Sequence, residues 1–165
     1  MSLPFDGFAI GGSFGSSFGA ERHETFDALR WTCPLLPKGK PRHLLGVGKI
    51  EDVFEAVSLG IDTFDCVIPT REARHGSIWT KQDRYEVVRG RYRNDDSPLA
   101  EDCSCPACSE REVKRAELYA LFKDRNFEAL RLATLHNVYF FNNLMREIRE
   151  EIREELFAEL KNDYL

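Results

Sequence analysis

Short apolar runs alternate with segments of helical periodicity over the first third of the chain. Residues 5–12 form an apolar run that ends in a glycine pair and predict a buried strand, and 21–31 predict a short helix. A second strand is predicted at 43–47 and a second helix at 50–59, followed by a third strand around Asp65. Because strands that alternate with helices pair in parallel, we expect an α/β fold with right-handed crossovers.

The pattern changes after the third strand. Residues 77–80 and 85–88 are predicted to form the two arms of a hairpin, and 91–93 to begin another extended segment. Apolar positions at three- and four-residue steps predict helices at 111–122 and from 127 to about 160. This region is therefore an insertion beyond the repeating unit of strand and helix.

One carboxylate, that of Asp65, interrupts the apolar third strand. Alternation along a strand places Cys66 and Ile68 on one face and Asp65 on the other. We expect Asp65 to point inward near the strand's carboxyl end, where parallel folds keep their active sites. A buried carboxylate is costly, which favours a functional role. The alternative is that Asp65 only caps a turn or pairs with Arg71 or Arg74.

Composition and charge narrow the class of protein. The 165 residues are 42% hydrophobic, which is typical of a globular domain, and no apolar run is long enough to cross a membrane. Because the N-terminus lacks the features of a signal peptide, we expect a cytoplasmic location. The beginning at Met1 leads directly into a strand-like segment, so we expect the chain to be part of a longer parent protein. The net charge of −5 conceals a basic central region and a glutamate-rich last helix.

Three of the five cysteines lie within six residues. The spacing of Cys103, Cys105 and Cys108 suits a metal better than a disulfide framework in a chain without a secretion signal. Tetrahedral zinc needs a fourth ligand, and His136 on the predicted long helix is the best candidate. A lone histidine at such a position is ordinarily just a polar group on the flank of a helix. Three closely spaced cysteines supply only three of the four ligands of zinc, which favours His136 as the fourth. A complete Cys3His site is structural, so we expect Zn²⁺ to hold the hairpin, the cysteine turn and the helix together.

Several segments, taken in order, resemble the C-terminal half of bacterial tRNA-guanine transglycosylase, also called queuine tRNA-ribosyltransferase. They are DGFAIGG, HLLGVGKIEDVFEAVSLGID, FDCVIPTREARHG, CSCPAC and LHNVYFFNNLM. The resemblance implies an α/β fold that is the C-terminal part of an irregular (β/α)8 TIM barrel with a zinc-binding subdomain. Residues 1–75 would then be the last three β/α units, 76–136 the hairpin and zinc-binding subdomain, and 137–165 the end of the long helix.

The resemblance also implies a reaction. Asp65 falls where the family has the aspartate that attacks C1′ of the guanosine at tRNA wobble position 34. Guanine leaves, and a 7-deazaguanine such as preQ1 or queuine takes its place in queuosine biosynthesis. Thr70, Arg71 and Arg74 match the family's tRNA-binding positions. The implied partners are a tRNA with G at position 34, the 7-deazaguanine base and a second copy of the chain in a homodimer.

Four residues would line the family's base pocket: Gly11, Gly12, Leu45 and Gly46. Residues 13–17 replace the family's usual Leu-Ala-Val-Gly-Glu continuation, and leucine replaces a common methionine at position 45. The preferred base is therefore left open. The family's N-terminal half, which supplies the base-recognising aspartates, has no counterpart in this sequence. We therefore expect the chain alone to be inactive.

Two other classes of protein stay under consideration. The first is a non-catalytic, zinc-stabilised RNA-binding or accessory subunit, since some family members lack the nucleophile; the presence of Asp65, Arg71 and Arg74 favours the enzyme. The second is a zinc ribbon, which is disfavoured because ribbons need two paired-cysteine knuckles and the sequence has one cluster. Unpaired sheet edges and the family's homodimers both favour self-association.

Overall fold

The structure is a computed structural model that describes residues 4–11 and 21–165. It forms two compact units, Met1–Ile68 and Pro69–Leu165. Each unit has a hydrophobic core cluster of its own. Among the described residues, no helix combines the length and the apolar character that a membrane crossing requires.

The first unit is a three-stranded parallel sheet with two helices. Its elements are β1 (Phe8–Ile10), α1 (Arg22–Thr32), β2 (Arg42–Leu45), α2 (Ile50–Ser58) and β3 (Thr63–Asp65). The strands lie in the order β1–β2–β3, and both neighbouring pairs are parallel. The predicted alternation of strands and helices is confirmed, and so is the α/β class.

The register of β2 and β3 decides which side chains share a face. His43 pairs with Thr63, and Leu45 pairs with Asp65. Leu44, between the two β2 residues, is fully buried in the core cluster that α1 and α2 help to form. Because successive side chains of a strand point to opposite faces, His43, Leu45, Thr63 and Asp65 all lie on the face away from that core.

The third strand is shorter than predicted. It ends at Asp65, so the expected alternation through Cys66 and Ile68 is wrong. The Cys66 sulfur accepts a hydrogen bond from the Ile68 backbone N–H at 3.4 Å. This turn leads directly into helix α3 (Ile68–Arg74), which the sequence analysis did not predict. Ile68 is buried as the first residue of that helix.

The second unit combines a hairpin with a set of helices. Its elements are the remainder of α3, β4 (Ser77–Trp79), β5 (Arg84–Glu86), α4 (Pro106–Ser109), α5 (Arg115–Lys123), α6 (Phe127–Arg153) and α7 (Phe157–Tyr164). β4 and β5 pair antiparallel, which confirms the predicted hairpin. The two predicted helices correspond to α5 and α6.

Three details differ from the prediction. The segment Gly90–Tyr92 is a single 3-10 turn rather than a strand, because it folds the Tyr92 ring into the core against Tyr85, at a centroid distance of 5.0 Å. α5 begins at Arg115 rather than at residue 111, since the preceding residues complete the cysteine segment. The long helix stops at Arg153, and Glu155 adopts a positive φ of 62° before α7 begins.

Asn137 ties α6 to the hairpin and to the start of α3. Its side chain is fully buried. Its Oδ1 accepts the Trp79 backbone N–H at 3.1 Å, and its Nδ2 donates to the carbonyls of Ser77 at 2.9 Å and Pro69 at 3.2 Å. One amide therefore satisfies three backbone groups of two other segments, which are costly to leave unpaired when buried.

Asn137→Leu is expected to lower the free energy of unfolding of the unit Pro69–Leu165 by about 2–4 kcal/mol, because it leaves these buried groups without partners. Urea unfolding followed by Trp79 fluorescence, with Trp31 replaced by Phe, measures the change. Asn142→Leu, the same substitution at an exposed position of α6, is the control and should change stability by less than about 0.5 kcal/mol. Equal losses for both variants would contradict the role of Asn137.

Candidate active site and metal centre

Asp65 lies at the carboxyl end of β3. Its Oδ1 is 3.1 Å from His43 Nε2 and accepts the Gly46 backbone N–H at 3.3 Å. The side chain is 62% exposed, so the expectation that Asp65 is buried is wrong for this chain. The alternative hypothesis was that Asp65 caps a turn or pairs with Arg71 or Arg74. The partners observed in the first unit are His43 and Gly46.

Three of the four predicted base-pocket residues lie near one another. A Cβ on Gly11 would fall 2.5 Å from Leu45 Cδ1, so Gly11 lies directly against the Leu45 side chain. Leu45 is 42% exposed beside Asp65. Gly46 adopts a φ of +74°, a conformation that glycine takes without strain. Gly12 lies outside the described residues.

These residues share one edge of the sheet. β1, β2 and β3 end at Ile10, Leu45 and Asp65, so Gly11, Gly46 and the carboxylate all lie at or just past the carboxyl ends of parallel strands. Open α/β sheets bind their ligands at this edge. The arrangement brings together the Asp65 carboxylate, the apolar Leu45 side chain and the backbone of Gly46, beside which there is open space.

Helix α3 carries the predicted tRNA-binding residues on its outer side. Ala73 is buried, and Glu72 accepts hydrogen bonds from Trp79 Nε1 at 2.9 Å and Arg84 Nη1 at 3.1 Å. These contacts fix one side of the helix to the hairpin. Arg71 and Arg74, three residues apart and therefore on one face, are exposed. Thr70 and Arg74 border a shallow groove along α6.

The structure brings the four predicted metal ligands together. The sulfurs of Cys103, Cys105 and Cys108 lie 3.6, 3.6 and 3.4 Å from His136 Nδ1, and all four ligand atoms are within 4.8 Å of one another. A tetrahedral zinc ion with bonds of about 2.3 Å to sulfur and 2.0 Å to nitrogen requires a sulfur-to-nitrogen distance of about 3.5 Å. The four side chains therefore form a cluster with the dimensions of a structural zinc site.

Local structure explains how the ligands converge. Pro106 occupies the first turn of α4, where its missing N–H costs nothing, and Cys105 and Cys108 lie three residues apart on that turn. His136 Nε2 donates to the Trp79 carbonyl at 2.8 Å, so in the neutral ring Nδ1 presents its lone pair to the sulfurs. This contact fixes the orientation of the ring and links the cluster to the hairpin.

The cluster shifts the protonation of its members. Burial lowers the pKa of His136, but hydrogen bonds with Cys103 and Cys105 outweigh it and raise that pKa to about 9. Hydrogen bonds from Cys105, Cys108 and then His136 hold the pKa of the Cys103 thiol far below its usual range. Hydrogen bonds with Cys103 and Cys105, together with burial, raise the pKa of Cys108. A metal that binds here must displace protons, so its affinity rises with pH.

The parallel sheet with a carboxylate at its strand ends, followed by a Cys3His unit, defines an α/β protein with a zinc-type centre. The whole chain, residues 1–165, matches the family model described as queuine tRNA-ribosyltransferase. The chain belongs to this family.

Several curated relatives of this chain are named queuine tRNA-ribosyltransferase, in agreement with the family model. The protein of Dehalococcoides mccartyi is 43% identical over 164 residues, which are 99% of this chain and 41% of that protein. The Helicobacter pylori protein is 40% identical over 98% of this chain and 42% of its own length. The Halothermothrix orenii protein is 41% identical over 100% of this chain and 43% of its own length. The chain spans about two fifths of the length of these relatives.

Two side chains at these sites were not singled out from the sequence. His43, one of four histidines, contacts Asp65 only because β2 and β3 pair in one register. The alternation of HLL did place it on the same face as Leu45, which was the available signal. Asn137 follows His136 directly, but nothing in its spacing indicated a buried amide.

Proposed function

We propose that this chain is the part of a tRNA-guanine transglycosylase that carries the nucleophile and the zinc. The parent protein would be a pentosyltransferase that exchanges guanine at wobble position 34 for a 7-deazaguanine, preQ1 or queuine, in queuosine biosynthesis. The observation that carries the proposal is Asp65 at the carboxyl end of β3, held by His43 and Gly46, in a chain of the queuine tRNA-ribosyltransferase family.

In the parent protein, we place β1, β2 and β3 as the last three strands of an irregular (β/α)8 TIM barrel. Residues 1–75 would supply these units, 76–136 the hairpin and zinc-binding subdomain, and 137–165 the end of the helical region. The three-stranded sheet supports this placement, since β1 and β3 are its outer strands in the part of the chain that the structure describes, and outer strands can pair with a further strand.

The reaction proceeds in two displacements. An oxygen of Asp65 bonds to C1′ as the bond from C1′ to N9 breaks, and the electron pair of that bond leaves on guanine, which takes up a proton. The incoming base loses a proton and bonds to C1′, and the electron pair of the ester bond returns to Asp65. A carboxylate suits both steps because it stabilises the oxocarbenium-like centre before bonding to it. The RNA backbone stays intact.

The zinc ligands in this proposal are Cys103, Cys105, Cys108 and His136. Four protein ligands leave no open position, so the ion has a structural role and activates no water. Gly11, Gly12, Leu45 and Gly46 would border the base. Zinc binds cysteines in their reduced form, so a zinc site of three cysteines supports a cytoplasmic location. We extend the proposal to a homodimer.

Arg74→Ala in the parent protein is expected to raise the KM for tRNA about tenfold with a smaller effect on kcat, because the exposed guanidinium would contact a phosphate of the anticodon loop. The salt dependence of tRNA binding should fall by about 0.7 in its logarithmic slope, the value for one phosphate of a single strand. Arg149→Ala removes another exposed arginine, from α6, and is the control. An unchanged slope in Arg74→Ala would argue against this contact.

A covalent adduct tests the proposed function directly. The parent protein, incubated with a tRNA that has G at position 34 and then denatured, should carry RNA on a band that Asp65→Asn lacks. Binding of the tRNA with normal affinity but no adduct would favour the alternative, a non-catalytic RNA-binding or accessory subunit.

A further inference from the structure

We infer that His43 is a positioning residue for the nucleophile, oriented in turn by Thr63. The inference rests on the proposed function of Asp65. Its observation is a chain of three side chains on one face of the sheet: Thr63 Oγ1 lies 2.8 Å from His43 Nδ1, and His43 Nε2 lies 3.1 Å from Asp65 Oδ1.

The register of the sheet builds this chain. β2 and β3 are parallel neighbours, with His43 opposite Thr63 and Leu45 opposite Asp65. The imidazole thus starts two residue pairs behind the carboxylate, on the same face of the sheet, and reaches forward along that face to contact it. Leu44, one residue on, is buried on the other face and anchors the strand. The position of His43 is therefore set by the core rather than by a flexible loop.

The hydrogen-bond partners of His43 determine which of its two ring nitrogens carries the proton. A carboxylate only accepts hydrogen bonds, so Nε2 carries the proton and donates to Asp65. In the neutral ring, Nδ1 then accepts from the Thr63 hydroxyl, which donates. Asp65 thus sets the tautomer, and the Thr63 hydroxyl, which can donate as well as accept, fits that tautomer and holds the plane of the ring.

Two donors converge on one oxygen of Asp65. Within residues 4–11 and 21–165, the hydrogen bonds to this side chain come from His43 and the Gly46 N–H, and both end on Oδ1. Oδ2 is left as the oxygen for attack on C1′. The Gly46 N–H is shared with the Asp65 backbone carbonyl at 3.1 Å, so His43 supplies the side-chain donor that holds the carboxylate in one orientation and presents its second oxygen. Such orientation raises the rate because a misplaced nucleophile seldom reaches the attack geometry.

A role in folding does not explain the contact. The side chains of His43 and Asp65 are 32% and 62% exposed, and an ion pair or hydrogen bond this open to solvent adds little to stability. The geometry therefore predicts a variant that folds normally and is slow in catalysis.

The test compares His43→Phe with His43→Gln in the parent protein, using exchange of labelled guanine into a tRNA with G at position 34. His43→Phe keeps the ring volume but removes the donor, and kcat should fall about 10- to 100-fold while the KM for tRNA changes less than about twofold. His43→Gln restores an N–H near the position of Nε2 and should recover most of kcat. Melting temperatures should match the wild type in both. His23→Phe, the same change at an exposed histidine of α1, should leave exchange unaltered.

Wild-type kcat in His43→Phe, alongside an inactive Asp65→Asn, would overturn this inference and leave the proposed function in place. Exchange by Asp65→Asn at the wild-type rate would overturn both. If His43→Phe does not fold, Thr63→Val serves instead, since it removes only the hydroxyl that orients the ring. An unchanged kcat in that variant would also overturn the inference.

Discussion

Asp65→Asn is expected to lower guanine exchange by the parent protein by at least about 10³-fold, because an amide cannot form the ester with C1′ that divides the reaction into two displacements. Binding of tRNA should stay close to that of the wild type, since the substitution keeps the shape of the side chain and its contact with the Gly46 N–H. Initial rates of labelled guanine incorporation, with tRNA affinity measured separately, give both quantities.

Asp62→Asn is the matched control for this variant. Asp62 is an exposed aspartate just before β3, and its carboxylate accepts the Arg42 backbone N–H at 2.8 Å, which an asparagine oxygen can also accept. Exchange should therefore survive in Asp62→Asn. Equal activity of Asp65→Asn and Asp62→Asn would remove Asp65 from the reaction and with it the proposed mechanism.

Removal of the metal is expected to lower the melting temperature of the unit Pro69–Leu165 by more than about 10 °C. Structural zinc contributes about 10–16 kcal/mol in small sites, which is comparable to the whole stability of a domain. The loss should be greatest between Cys103 and His136, since the metal joins the cysteine segment to α6. Circular dichroism melts with and without a chelator, and zinc content per chain, measure the effect.

Two cysteine variants separate the metal from other thiol chemistry. Cys105→Ala removes a fully buried ligand and should abolish zinc binding, whereas Cys33→Ala, at a buried cysteine of the first unit, should keep one zinc per chain. A melting temperature that chelation leaves unchanged would mean that hydrophobic burial alone holds this unit together.

The elements with strong periodicity were predictable from the sequence. α2 has apolar residues at helical spacing and ends before Gly60, whose φ of +95° suits the end of a helix. The metal cluster was predictable for a chemical reason: three closely spaced thiols lacked one ligand, and His136 completed the set. The signal for α2 lies within a short stretch of sequence, and the signal for the metal cluster is that three cysteines leave zinc one ligand short.

The rest depended on packing between distant segments. The contact of His43 with Asp65 requires the register of two strands, which neither strand specifies alone. The end of α6 was missed because the apolar pattern continues into α7, while the positive φ of Glu155 breaks the helix between them. The segment around Tyr92 was predicted to be extended because arginines flank one aromatic residue. Its turn depends on packing of the Tyr92 ring against the buried ring of Tyr85, which is distant enough in the sequence to leave no local signal.

The two successive side chains His136 and Asn137 act together on the outer edge of the hairpin. They occupy both backbone groups of Trp79, and Asn137 also covers the carbonyl of Ser77. An edge strand with open backbone groups recruits strands from other molecules. Helix α6 thus shields β4 from aggregation, and the metal that fixes His136 becomes part of that shield. A chain without the metal would lose the His136 part of this cover, so its unfolding at a lower temperature should be accompanied by aggregation through the edge of β4.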